Sequence, residues 1–171
     1  AWFGFLNLLK KHRRRRPING IILAISMEEL ARQSNVDRER TASAISSRIQ
    51  ELYEHLGIRF PVYLMFTKCD LMAGFMEFFG DLDRHERAQV WGFTYGLNDD
   101  PVARFGEEFN TLQSQLETRL VQRLQNERDV SRRELIYNFP SQLSATRESL
   151  EEFLERVFKP SRFTAQQMLR G

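Results

Sequence analysis

Lys68 and Asp70 stand two positions apart at the end of Phe60-Pro61-Val62-Tyr63-Leu64-Met65-Phe66-Thr67-Lys68-Cys69-Asp70, and their types and spacing suit chemistry best. A proline-started run of β-prone apolar residues gives way abruptly to opposite charges. That reads as a buried strand delivering a cation and a carboxylate to its C-terminal edge, where open α/β sheets bind ligands. The bland alternative is that Asp70 caps a helix starting at Leu71. Cys69 is flanked by a lysine that favours its thiolate and a carboxylate that opposes it, so a reactive thiol is not expected. His12, His55 and His85 are scattered, and no pair has metal-ligand spacing. Phosphoryl transfer needs positioned phosphate donors and a metal ion. No G-x-x-x-x-G-K-[ST] loop and no D-x-x-G occurs. We therefore expect no catalytic residue and no metal site within these 171 residues.

The second chemical feature is Lys10-Lys11-His12-Arg13-Arg14-Arg15-Arg16. It holds six of the 25 Lys and Arg residues, so the rest of the chain carries 19 cations against 23 acids. The net charge of +2 thus hides a basic corner on a mildly acidic body, which argues against a protein that coats nucleic acid. A solvated corner, anionic lipid headgroups, an acidic partner or a local nucleic-acid contact all suit such a run. At 42% hydrophobic and 28% charged residues the chain is of a folding composition, with no apolar run approaching the ~20 residues of a membrane span. The lone cysteine points to a reducing compartment. A start at Ala1-Trp2-Phe3, with no initiator methionine, reads as a piece of a longer protein.

These groups need elements to hold them. Trp2, Phe3, Phe5, Leu6, Leu8 and Leu9 suggest a short helix ending in the basic run, with cations at its negative dipole end. The run 18–26 reads as a central strand. Ser34 to Asp37 cap a helix through Leu56, and Gly57 stops it before a strand at 61–67. Together these make a right-handed βαβ crossover with parallel strands. A short apolar helix over 71–79, a polar stretch at 81–87 and a shorter strand at 89–96 follow. Asn98-Asp99-Asp100-Pro101 opens a long amphipathic helix through Leu124. Pro140 should break the pattern at Leu135–Phe139, with Ser141 or Ser144 capping a last helix that Pro160 ends. The tail from Ser161 has no pattern. The aromatic groups Trp2-Phe3-Phe5 and Phe75-Phe78-Phe79 read as core, because such a sheet needs both faces covered. If any helix stands free of the sheet it is the one over 141–158, a candidate for docking another subunit.

Thr67-Lys68-Cys69-Asp70 resembles the [NT]-K-x-D motif of Ras-like P-loop GTPases, in which the aspartate accepts from the guanine edge and the lysine stem lies along the base. More of the chain is similar to the IcmF/TssM family of type VI secretion subunits. The matching text is Trp2 through Gly20, Gly57 through Tyr63, Gly74-Phe75, Phe78-Phe79, Gln89 through Thr94, and Phe158 through Phe163. The resemblance implies an α/β domain formed by the back half of a Ras-like sheet over 1–127, with a helical extension and tail over 128–171. It also implies a place on the cytoplasmic face of the bacterial inner membrane. The implied partners are the baseplate and a smaller inner-membrane subunit; contact with anionic lipid at Lys10, Lys11, Arg13, Arg14, Arg15 and Arg16 is instead an expectation from the basic run itself. Thr67, Lys68 and Asp70 are then the nucleotide-base contacts. No cofactor is expected here, and GTP or ATP with Mg²⁺ belongs to the alternative in which an upstream half supplies the phosphate loop.

Overall fold

The computed structural model describes residues 2–96, 99–159 and 167–171. Strands β1 (Ile21–Ser26) and β2 (Pro61–Thr67) pair in parallel, with Ile21 opposite Val62 and Ser26 opposite Thr67. The crossover between them is helical, as expected. The Ser34 hydroxyl accepts from the Asp37 N–H at 3.2 Å, opening α3 (Asn35–Leu56). Gly57, at φ 67°, closes it by donating to the Tyr53 carbonyl. The first strand starts three residues later than its apolar run because Pro61, lacking an N–H, cannot extend the ladder backwards. A short helix α2 (Met27–Arg32) was not foreseen; the Ser26 hydroxyl caps it by accepting from Glu29.

The third strand differs from expectation. Residues 89–96 form no strand, and the edge beside β2 is filled by the tail strand β3 (Met168–Leu169), giving the order β1-β2-β3. The Arg170 N–H donates to the Val62 carbonyl at 2.8 Å, and the Tyr95 N–H donates to the Arg170 carbonyl at 3.0 Å. The tail therefore lies between β2 and the 93–95 segment. Burial explains the exchange: Leu169 and Gln167 are buried, whereas Val90 is 94% exposed and Gly92 sits at φ 154°.

After β2 the apolar stretch splits into a 3₁₀ turn at Cys69–Leu71 and a single-turn α4 (Phe75–Phe78). Gly74 allows this at φ 83°, where a Cβ would lie 2.2 Å from the Leu135 carbonyl oxygen. A box formed by Asp83 and Glu86 caps α5 (Arg84–Arg87). Asp100 caps α6 (Pro101–Asn126), with Pro101 in its first turn. Asp129 caps α7 (Val130–Ser144), which runs straight through Pro140. An interior proline costs roughly 3 kcal/mol. Phe139, Pro140 and Leu143 are buried in exchange, and Gln113 donates to the Pro140 carbonyl. Ser141 and Ser144 consequently belong to the last turn of α7, and α8 (Arg147–Phe158) opens at Thr146 without a side-chain cap. Leu150, Phe153, Leu154, Val157 and Phe158 of α8 are all buried, and the helix packs on the helices α3 and α6. The expectations for Asn98, Pro160 and residues 161–166 lie outside the described residues.

Packing is one-sided. Val62, Leu64 and Phe66 with Ile21, Leu23 and Ile25 join the core, while Ile22, Tyr63 and Met65 on the opposite face are exposed. The two aromatic groups also part company. Phe78 and Phe139 are fully buried in a cluster with Phe75, Phe79 and Trp91. In α1 (Trp2–His12) only Leu6 is buried; Trp2, Phe3 and Phe5 are 38%, 54% and 52% exposed, so their expected core role is not met, and Leu8 is exposed beside them. Helix α1 leans on α3 through His55, whose carbonyl accepts from the Lys10 ammonium at 2.7 Å. The Arg48 guanidinium lies over the Trp2 ring.

Candidate functional site

The C-terminal rim of β1 and β2 brings Thr67, Lys68 and Asp70 beside the first turn of α2. Thr67 is half-buried and its hydroxyl donates to the Ile25 carbonyl at 3.3 Å, tying the two strand ends together. Lys68 is the non-glycine residue at positive φ among the described residues, at 59°. That left-handed backbone costs roughly 1–2 kcal/mol. Its ammonium sits 3.7 Å from the Glu28 carboxylate and 3.6 Å from Glu29. These are exposed pairs, each worth at most about 1 kcal/mol. The lysine is thus turned back onto its own fold.

Asp70 lies inside the 3₁₀ turn rather than at its cap, and its exposed carboxylate makes no hydrogen bond or ion pair among the described residues. It is the rim's one uncommitted anion. Cys69 between them is half-buried, and burial, then the Asp70 charge, pushes its thiol above the ordinary range. A neutral thiol donating weakly to the Phe66 carbonyl is no nucleophile. One backbone donor at the start of α2, the Glu29 N–H, is already engaged by Ser26. Among the described residues no group of His, Cys, Asp and Glu side chains is placed to hold a metal ion. What the rim offers is a single acceptor, Asp70, at the end of a parallel strand.

The basic run is displayed at the α1–β1 corner. Lys11 and Arg13 to Arg16 are exposed and form no ion pair among the described residues, ahead of a buried Pro17. Separately, a cavity of about 580 Å³ opens beside Phe75, Phe79, Leu82, Val90, Trp91 and Arg119. Its floor belongs to the buried aromatic cluster.

Arg123 and Tyr95 are buried polar groups that escaped the sequence reading. Arg123 is 5% exposed and donates from Nε to the Phe78 carbonyl at 3.0 Å and from Nη2 to the Glu77 carbonyl at 2.9 Å. Asp81 lies 3.3 Å from the same guanidinium. Arginine thus satisfies the open carbonyls of α4. The only signal for it was an arginine within the apolar spacing of α6. Tyr95 is buried with its hydroxyl unpartnered, and burial followed by the Glu108 charge pushes its ionisation well above the usual tyrosine range.

Comparison with known proteins supplies the remaining context. The model of the IcmF-related N-terminal domain matches residues 1–171. The chain is 54% identical over 176 residues to the type VI secretion system component TssM1 of Pseudomonas aeruginosa, an alignment that covers all of this chain. It spans only 16% of that relative's length. No solved structure matches.

Proposed function

This chain belongs to the IcmF-related N-terminal domain family, and on that premise we propose that it works as part of a type VI secretion membrane-complex subunit. Its task is protein contact with the secretion baseplate and the smaller inner-membrane subunit, from the cytoplasmic face of the inner membrane. The observation that carries this reading is the 54% identity to TssM1 along the whole chain. The chemistry of the rim agrees with a non-catalytic role: Lys68 is paired with Glu28 and Glu29, and the α2 start is capped from within. Co-purification of this chain with the baseplate and inner-membrane secretion subunits of its own organism tests it. Saturable association with at least one of them is expected, and association with none contradicts the reading.

Asp70 favours a second reading. A free carboxylate at the C-terminal end of the central parallel strand is where a Ras-like sheet reads a nucleotide base, with Thr67 and Lys68 beside it. In that reading the chain is the back half of a GTP- or ATP-hydrolysing domain, and the phosphate loop and Mg²⁺ ligands lie upstream in the parent protein. Labelled GTP and ATP titrated into the parent cytoplasmic domain, with and without Asp70→Asn, decide between the two. Base-selective binding lost in the variant, with turnover, supports the catalytic reading; unchanged or absent binding removes it.

A further inference from the structure

Helix α1 combines two features that the fold leaves unused and that meet at one corner. Phe5 and Leu8, three positions apart on the helix, and Phe3 are more than half exposed, while the buried Leu6 holds the helix to the body. Directly after them come Lys11 and Arg13 to Arg16, exposed and unpaired among the described residues. The first acid of the chain is Glu28, so the whole α1–β1 segment carries positive charge alone. An apolar flank beside a polybasic stretch is the combination that holds a peripheral helix in a headgroup layer, since either signal alone binds weakly. Aromatic side chains such as Trp2, Phe3 and Phe5 also favour that layer.

We infer that the α1 flank with residues 11–16 is a docking surface for an anionic lipid bilayer. This does not depend on the secretion partners proposed above. Charge complementarity selects the occupant: the one dense run of cations sits at this corner and the rest of the chain is net acidic, which suits a flat anionic surface better than the extended track of a nucleic acid. Exposed apolar side chains beside the cations gain from a bilayer and gain nothing from phosphates.

Co-sedimentation of the chain with vesicles tests this, using pure phosphatidylcholine and phosphatidylcholine mixed with phosphatidylglycerol. Binding is expected to the mixed vesicles only. Replacing Arg14 and Arg15 by glutamine should weaken it about thirty-fold, or about fivefold per cation removed. Phe5→Asp with Leu8→Asp should abolish it while the thermal melt stays unchanged. If that pair melts early, Leu8→Ser alone carries the comparison. No binding to mixed vesicles, binding indifferent to Phe5 and Leu8, or equal affinity for duplex DNA overturns the inference.

Discussion

Two aromatic stretches look alike in this sequence and have opposite fates. Phe75, Phe78 and Phe79 are gathered by Trp91 and Phe139 into a packed cluster, whereas Trp2, Phe3 and Phe5 line a helix that offers one buried leucine to the body. The difference is not hydrophobicity. Around α4 the chain supplies partners on several sides: α7 packs on it, the Trp91 ring meets Phe75 and Phe79, and Arg123 satisfies its last carbonyls. Around α1, among the described residues, the element in substantial contact is α3. Burial follows the number of elements that can reach a side chain, and that number is invisible in local sequence.

Variants should widen this contrast or collapse it. Phe78→Ala removes a fully buried ring and should lower unfolding free energy by about 3–5 kcal/mol in urea titrations. Gly74→Ala comes next, because a Cβ there strikes the Leu135 carbonyl at positive φ, and strain alone costs about 1–3 kcal/mol. Arg123→Met leaves the Glu77 and Phe78 carbonyls unsatisfied and should cost about 1–3 kcal/mol. On the other side of the comparison, Phe5→Ser should stay within about 0.5 kcal/mol. A Phe5 cost equal to that of Phe78 would erase the distinction.

A pH prediction concerns Tyr95. Its folded-state ionisation is raised by burial, so the unfolded chain loses the phenolic proton first. Its contribution is therefore complete below about pH 10 and is lost as pH rises further. Tyr95→Phe should remove that part of the alkaline decline in stability, measured by urea titration across the range. An unchanged slope would mean the hydroxyl is solvated.

Local signals carried much of this fold. The parallel crossover and the long helix α6 were legible because Ser34, Gly57, Asp100 and Pro101 mark helix ends by chemistry that needs no distant partner. The Thr67-Lys68-Cys69-Asp70 rim was placed correctly at a strand end, but its electrostatics were not: Glu28 and Glu29 reach Lys68 only because α2 follows β1 at once. Elements fixed by remote contacts were missed. A two-residue strand such as Met168–Leu169 has no period to read, and Pro140 stays helical because of what α7 packs against. Arg123 looked like any surface cation on an amphipathic helix.

Hydroxyl-radical footprinting of the native chain, read residue by residue by mass spectrometry, tests the division between the two aromatic groups most directly. Ready oxidation of Trp2, Phe3 and Phe5 with protection of Phe78 and Phe139 is the predicted pattern. Protection of α1 equal to that of Phe78 would contradict it.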